Sequence, residues 1–218
     1  MAKHSDAIED YLKAIYVLES GGEASVSTSA IAVRLGISQP AATSMVKKLA
    51  SLGLARHERY RGVVLTPAGT RAAVEVIRHH RLLEKFLSEK LGLGIDDVHD
   101  EAERLEHALS EELEARIDRE LGFPTHDPHG DPIPDADLNV LAAEVRSLAD
   151  LEAGERGTVQ RVPDRDREVL GYLSSLGLLP GRVVEVLSAA PFGGPLVVLA
   201  GGCEFAISRD LAGLVGIL

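Results

Sequence analysis

The chain lacks tryptophan, holds one cysteine, and only 4% of its residues are aromatic. The single cysteine, Cys203, excludes an intrachain disulfide and fits a reducing cytosol. Because aromatics are scarce, any hydrophobic core must be built from aliphatic side chains. No apolar run approaches the roughly 18 residues of a membrane span, and the opening MAKHSDAIEDYLKAI lacks the apolar segment of a secretory signal. We therefore expect a cytoplasmic protein with no membrane partner.

Negative charge dominates the composition but is unevenly distributed. The 218 residues include 23 Lys and Arg against 34 Asp and Glu, for a net charge of −11. Residues 1–80 carry a net charge of +3, whereas residues 81–150 carry −12. A basic part beside a strongly acidic part indicates two kinds of partner, a polyanion for the first and cations for the second.

The first 73 residues predict a helix, a helix-turn-helix pair and a hairpin. Apolar spacing favours a first helix within 5–20. STSAIAVRLGIS predicts a short helix, and SQPAATSMVKKLASLG predicts a second one behind the N-cap Ser38. LARHERYRGVVLTPAG then predicts two strands joined by a turn at Arg61-Gly62. This order is typical of a winged helix-turn-helix, whose second helix lies in the major groove of DNA.

Ten residues are candidates for contact with double-stranded DNA. Those at the start of the second helix are suited to base edges, and the basic ones are suited to phosphates. The first group comprises Ser38, Gln39, Pro40, Ala41, Thr43 and Ser44. The second group comprises Lys47, Lys48, Arg59 and Arg61. On the residues alone, a small helical bundle with a solvated basic face stays open as the alternative.

Residues 98–107, VHDEAERLEH, crowd histidines and carboxylates into a stretch with helical leucine spacing. On a continuous helix, four of them fall within an arc of about 100°. These four are His99, Glu103, Glu106 and His107. The preceding helix adds the i,i+4 pair His80 and Glu84, and such donors on facing helices form divalent metal sites. A ladder of i,i+4 pairs on a solvated surface is the alternative.

The remainder of the chain predicts two long amphipathic helices suited to a dimer interface, then a Pro/Gly/Asp-rich loop at 122–137. Short Val, Leu and Ile runs after residue 150 predict a small β-barrel. We expect a multidomain, mainly α protein. Its predicted parts are a winged helix-turn-helix at 1–73, a helical dimerisation and metal-binding domain at 74–138, a linker at 139–150 and the barrel at 151–218.

RHHRLLEKFL followed by VHDEAERLEHALSEELEARI resembles the metal-binding core of the diphtheria-toxin-repressor family of metal-dependent transcriptional regulators. DYLKAIY and TPAGTRAA resemble that family's first helix and the junction to its dimer helices. LSSLGLLPGRVVEV resembles its SH3-like, FeoA-type C-terminal domain. The resemblance extends over nearly the whole chain. It implies a homodimeric repressor that binds an operator and has no enzymatic activity.

The resemblance also implies two metal sites. Four residues match the primary ligands, namely Asp10, Glu103, Glu106 and His107. Three match the ancillary ligands, namely His80, Glu84 and His99. A further ancillary carboxylate is expected from the C-terminal domain, with Asp166 as the best match and Glu168 and Asp164 as rivals.

The loop DPHGDPIP resembles a ligand-supplying loop of manganese-responsive relatives. Asp127 and His129 are therefore further ancillary candidates, with ordinary polar loop residues as the alternative.

Two departures from the family pattern bear on the metal. The iron-responsive branch has Met and Cys where this chain has Asp10 and Glu103, and oxygen in place of sulfur favours a hard ion such as Mn²⁺. Some manganese regulators have a carboxylate where this chain has Lys13, which puts their closely spaced binuclear site in doubt. We expect Mn(II) as co-repressor, bound between the DNA-binding and dimerisation domains. Fe(II) is the second candidate, and other divalent metals are expected to substitute in vitro.

Two further functions stay open on the residues alone. A metallohydrolase would use the same carboxylates, although HExxH, GxSxG and Walker-type motifs are absent. A winged-helix regulator that senses a small organic ligand would use its acidic helices only as structure.

Overall fold

The computed structural model describes residues 4–21, 25–58, 62–140 and 146–218. The described chain forms two compact units. The first contains the chain up to His80, the turn Glu106–Leu109 and the segment Pro134–Asn139. The second contains Arg81–Leu105, Ser110–Ile133 and Val140–Leu218. In the described ranges, no helix is both long and apolar enough to cross a membrane.

The first unit begins with three helices and a hairpin. These are α1 (Asp6–Ser20), α2 (Thr28–Leu35), α3 (Gln39–Ser51), β1 (Ala55–Glu58) and β2 (Gly62–Leu65). The hydroxyl oxygen of Ser27 accepts the backbone N–H of Ala30 at the start of α2, and that of Ser38 accepts the N–H of Ala41 at the start of α3. Gly36 ends α2 in the left-handed region at φ 64°. The predicted winged helix-turn-helix is confirmed.

An aliphatic core holds these elements together. β1 and β2 are antiparallel, with Ala55 opposite Leu65. The inward faces of the three helices and the hairpin meet in one buried cluster, whose fully buried members include Leu12, Ile15, Ile31, Val46, Leu49 and Val63. Burying such side chains contributes about 1.5–3 kcal/mol each. The core is built mainly from aliphatic side chains, as the scarcity of aromatic residues predicts.

The dimerisation region does not consist of two continuous helices. α4 (Pro67–Leu91) is long, as predicted, but α5 (Val98–Leu105) ends early. A 3₁₀ turn, Glu106–Ala108, follows, and α6 (Glu111–Glu120) then begins. The hydroxyl of Ser110 accepts the N–H of Leu113 and caps the new helix. Glu111 and Glu112 add negative charge to its first turn, which favours a helix start there. The predicted continuous helix through residue 107 is therefore wrong.

The C-terminal part is an SH3-like domain with a six-stranded antiparallel sheet. In chain order the elements are β3 (Arg146–Ser147), β4 (Arg156–Arg161), α7 (Arg167–Ser175), β5 (Val183–Ala189), β6 (Leu196–Ala200), β7 (Cys203–Ile207), α8 (Arg209–Ala212) and β8 (Gly216–Ile217). The sheet order is β3-β8-β4-β5-β6-β7. Because β3 pairs with β8 and Leu148 is fully buried in the domain core, residues 146–150 belong to this domain rather than to the predicted linker.

The 122–137 loop is tied to the barrel by its backbone. Oδ1 of Asp127 accepts the N–H groups of His129 and Asp131, which shapes the turn. The N–H of Val162 donates to the carbonyl of His129 at 2.9 Å. Gly130 has φ 90°, and a Cβ there would lie 1.7 Å from the carbonyl oxygen of Gln160. Only glycine fits so close to this strand.

We expect Gly130→Ala to lower the free energy of unfolding by about 2–4 kcal/mol, because a methyl group would push the loop off the barrel and adds backbone strain. Gly154→Ala is the matched control. Gly154 has the same φ of 90°, but a Cβ there would meet nothing within 4 Å. Urea unfolding of both variants measures the difference, and equal losses would show that the close approach to Gln160 has no energetic weight.

Candidate metal centre

The first candidate site joins helix α1 to the 3₁₀ turn Glu106–Ala108 within the first unit. Asp10, Glu106 and His107 each have a potential ligand atom within 4.8 Å of the other two. Glu106 is buried, with 1% of its surface exposed. These are three of the four predicted primary ligands. The fourth, Glu103, belongs to the second unit, where its Oε1 lies 3.8 Å from Nε2 of His99.

His107 is held between two carboxylates. Its Nε2 lies 2.8 Å from Oδ1 of Asp10, and its Nδ1 lies 2.7 Å from Oε2 of Glu9. Both nitrogens can donate only when the ring is protonated. The hydrogen bond with Asp10 raises the pKa of His107 to about 9, against the lowering effect of burial and with support from Glu9 and Glu106. The metal-free site thus carries an imidazolium at neutral pH.

This arrangement fits a divalent ion once that proton has left. Asp10, Glu106 and Nε2 of His107 would then be the ligands, and Nδ1–H of His107 would keep donating to Glu9. A carboxylate behind a ligating histidine fixes the ring orientation and raises its basicity. Glu9 is not among the site residues predicted from the sequence. The signal for it was the pair Glu9-Asp10, two consecutive acids on one helix.

Glu106 also makes contacts on its other side. Nζ of Lys13 lies 3.0 Å from Oε1 and 2.8 Å from Oε2 of this carboxylate. Nδ1 of His80 lies 2.6 Å from Oε2. His80 was predicted as an ancillary ligand beside Glu84. Within the first unit it pairs with Glu106, a residue predicted for the primary site.

A second candidate site lies in the second unit, formed by Glu84 of α4 with Asp127 and His129 of the loop. One ligand atom from each lies within 4.8 Å of the others, and all three residues are buried. Nε2–H of His129 donates to the carbonyl of Ile95 at 2.9 Å. Its Nδ1 has no hydrogen-bond partner within the described residues and lies 3.6 Å from Oε2 of Glu84. This geometry presents the nitrogen that a metal would need.

Two groups at this second site have raised pKa values when no metal is bound. Burial lowers the pKa of His129, but Glu84 and Asp127 outweigh it and raise the value to about 9. Burial raises the pKa of Asp127 well above its usual value, and the charge of Glu84 adds to the shift. Buried carboxylates beside a histidine need a positive charge, which a divalent ion can supply in place of protons.

The expected C-terminal carboxylate is better matched by Asp164 than by Asp166. Oδ2 of Asp164 lies 4.0 Å from Nδ1 of His99, and that nitrogen lies 3.1 Å from Oε1 of Glu84. Oδ1 of Asp166 instead accepts the N–H groups of Glu168 and Val169 and caps α7. Glu168 is an exposed residue of the first turn of α7. An Asp directly before a helix is usually a cap, and this signal argued against Asp166.

The DNA-contacting candidates lie on one side of α3. Ala42, Val46 and Leu49 face the core. The exposed candidates are Ser38, Gln39, Pro40, Ala41, Ser44, Lys47 and Lys48. Thr43 is half-buried, and its hydroxyl donates to the carbonyl of Gln39. Arg59 and Arg61 lie outside the described residues.

Metal binding at the first site should compete with the proton on His107. Because that pKa is raised, the ion pair with Asp10 stabilises the metal-free fold at pH below 6.5, and its contribution disappears as the pH rises through about 9. Apparent Mn²⁺ affinity should therefore rise up to tenfold per pH unit between about pH 7 and 8.5. Calorimetry in buffers of different ionisation enthalpy measures the released proton.

Glu9→Gln is the matched variant for this prediction. It removes one charge that raises the pKa of His107 and keeps the three ligands. We expect less proton release at pH 7.5 and a flatter pH profile. A wild-type profile that is flat over this range would contradict the assignment of His107 as a ligand.

The chain is similar to known proteins over nearly its whole length. Three family models match the chain: the N-terminal DNA-binding domain of iron-dependent repressors (residues 3–63), their metal-binding and dimerisation domain (66–135) and the FeoA domain (146–217). The diphtheria toxin repressor of Corynebacterium efficiens is 34% identical over 218 residues, which cover 95% of this chain and 93% of the relative. The iron-dependent repressor IdeR of Mycobacterium leprae is 32% identical over 220 residues, which cover 95% of this chain and 94% of the relative.

A solved structure described as a manganese-dependent transcriptional repressor in complex with manganese has a TM-score of 0.89 to this chain at 41% identity, covering 97% of this chain and 99% of the other. The chain therefore belongs to the diphtheria toxin repressor family of metal-dependent transcriptional repressors, which is not a family of enzymes.

Proposed function

We propose that this chain is a cytoplasmic, Mn(II)-activated transcriptional repressor that binds a double-stranded operator as a homodimer. The observation that carries the proposal is the donor set at the first site. Asp10, Glu106 and His107 offer two carboxylates and one imidazole within one small cluster. Such ligands bind divalent first-row metals. Because they must be deprotonated to do so, metal binding releases protons and depends on pH.

Oxygen and nitrogen donors favour manganese over softer metals. Neither cluster contains a sulfur ligand, because Cys203 lies exposed in the barrel and the two methionines occupy positions 1 and 45. The relative with 41% identity and known structure is named a manganese-dependent repressor. Fe(II) is the second candidate, since IdeR is named an iron-dependent repressor. Zn²⁺ and Cu²⁺ should bind in vitro, since intrinsic affinity favours them.

A metal at the first site would tie the DNA-reading head to the dimerisation region. Asp10 lies on α1, which packs against α2, α3 and β2. Glu106 and His107 come from the segment that matches the metal-binding and dimerisation model. In a two-fold dimer, fixing the head sets the spacing of two α3 helices, which must match half-sites about 34 Å apart. The metal therefore favours the DNA-competent arrangement, and DNA must in turn tighten metal binding.

The second site is proposed as ancillary. Glu84, Asp127 and His129 would hold the ion, with His99 and Asp164 close to the same carboxylate cluster. The functional parts follow the predicted boundaries of 1–73 and 74–138, with the SH3-like domain extended to begin at residue 146. In this proposal α3 reads the operator through Gln39 and Ser44, while Lys47 and Lys48 contact phosphates.

Asp10→Ala should abolish the Mn²⁺-dependent gain in DNA affinity, because it removes a ligand from α1 while leaving α3 unchanged. Fluorescence anisotropy with labelled operator DNA, with and without Mn²⁺, measures this. Asp6→Ala is the control, since Asp6 is an exposed acid of the same helix. The dimer should persist in both variants by light scattering. If Asp10→Ala responds to Mn²⁺ at wild-type concentrations, the first site does not control DNA binding.

His129→Ala should reduce bound Mn²⁺ by one ion per chain and leave the response of the first site in place. The reason is that His129 supplies the one nitrogen of the Glu84 cluster that no described hydrogen bond occupies. Equilibrium dialysis with metal analysis counts the ions. His126→Ala is the control, because His126 is a half-buried histidine of the same loop whose Nδ1 lies 3.0 Å from the hydroxyl oxygen of Thr125. An unchanged ion count in His129→Ala would remove this residue from the ligand set.

A further inference from the structure

Lys13 lies beside the first metal site, with its ammonium group at the centre of a set of metal-type ligands. Nζ lies 2.8 and 3.0 Å from the two oxygens of Glu106 and 3.2 Å from Nδ1 of His80. The Lys13 side chain is only 12% exposed, and that of Glu106 is fully buried. A carboxylate and an imidazole are also the groups that bind divalent ions, at shorter distances.

Lys13 and Asp10 are three residues apart on α1, so both side chains project from the same face of the helix. Glu106 reaches both of them. Its Oε1 lies 3.6 Å from Nε2 of the His107 ring, which contacts Asp10, and both its oxygens contact Lys13. One carboxylate therefore separates two positions for positive charge. The first is where Asp10, Glu106 and His107 meet, and the second is where Glu106 and His80 meet.

In the metal-free site His80 donates to Glu106, so its Nδ1 could bind a second ion only after losing that proton. An ionised carboxylate only accepts hydrogen bonds, so the 2.6 Å distance has Nδ1–H of His80 donating to Oε2 of Glu106. Lys13 supplies two further donors to the same carboxylate. The ammonium of Lys13 is a counter-ion for this buried carboxylate, and burying a charge without a counter-ion is costly.

We propose that Lys13 is a built-in cation that occupies the place of a second divalent ion between Glu106 and His80. The centre formed by Asp10, Glu106 and His107 consequently takes one ion. The positive charge of Lys13 also lowers the affinity for that ion. This inference rests on the proposed metal function of the first site and concerns its ion count and affinity.

Two substitutions separate these effects. Lys13→Met removes the charge and keeps the length of the side chain, so the first site should bind Mn²⁺ about tenfold more tightly. Lys13→Glu adds a carboxylate beside Glu106 and His80, so a second Mn²⁺ should bind next to the first. Lys85→Met is the matched control, because Lys85 forms an i,i+4 ion pair with Glu89 along α4.

The experiment uses the full-length, metal-stripped chain and Mn²⁺ alone. Calorimetry gives affinities and ion counts, and electron paramagnetic resonance distinguishes an isolated Mn²⁺ from an exchange-coupled pair. We expect no coupled pair in the wild type or Lys85→Met. Lys13→Glu should bind one more ion per chain and show a coupled spectrum. Circular dichroism establishes that each variant is folded.

Three results would overturn the proposal. A coupled pair in the wild type would show that Lys13 gives way to metal. A folded Lys13→Glu that gains no ion would show that the position is not a cation site. If Lys13→Glu fails to fold, Lys13→Met decides alone, and unchanged Mn²⁺ affinity rejects the charge effect. Absence of Mn²⁺ binding at the first site in every variant would instead reject the proposed function itself.

Discussion

The buried carboxylate of Glu106 is the group around which the first metal site is arranged. A negative charge without exposure to water requires positive charge or several donors close to it. Here Lys13 and His80 supply them on one side, and the protonated ring of His107 lies on the other. This requirement links α1, which carries Lys13, and α4, which carries His80, to the 3₁₀ turn that carries Glu106. Any ion that enters must share Glu106 with partners already in place.

The two candidate sites apply the same chemistry in different surroundings. At each site, a histidine with a pKa of about 9 lies among carboxylates. Without a metal ion, the proton on this histidine supplies the positive charge that the carboxylates need. They differ in what orients the ring. Glu9, a carboxylate, accepts from His107, whereas the backbone carbonyl of Ile95 accepts from His129. A carboxylate acceptor raises the basicity of the opposite ring nitrogen more than a neutral carbonyl does. The neutral ring of His107 should therefore bind a metal ion more strongly through that nitrogen than the neutral ring of His129.

Much of the fold could be predicted from local sequence signals. The capping serines, the glycine that ends α2 and the apolar spacing placed the helix-turn-helix correctly, because those effects act within a few residues. The family resemblance was also confirmed. The break after Leu105 could not be read from periodicity, since the leucine pattern continues through it with helical spacing. Ser110 was the available signal, but a serine within an acidic, leucine-rich stretch also occurs inside helices.

The ligand predictions were limited by the same cause. On an unbroken helix, residues 99–107 share one face, whereas here α5 ends at Leu105, and Glu106 and His107 lie in a 3₁₀ turn that contacts α1. Asp164 could not be separated from Asp166 by spacing alone, because the choice depends on which one caps α7. Lys13 was recognisable as a departure from the family pattern. Its contacts with His80 and Glu106, however, involve residues that are 67 and 93 positions away, respectively.

The backbone contact between the loop and the barrel gives the C-terminal domain a role that requires no ligand from it. His129 is positioned by its carbonyl bond to Val162 and by the glycine next to it, which lies against Gln160. A chain cut after residue 140 would keep Glu84, Asp127 and His129 and still lose the surface that shapes their loop. The conformation of the second site is thus specified about thirty residues downstream of its last loop ligand, by main-chain atoms of Gln160 and Val162.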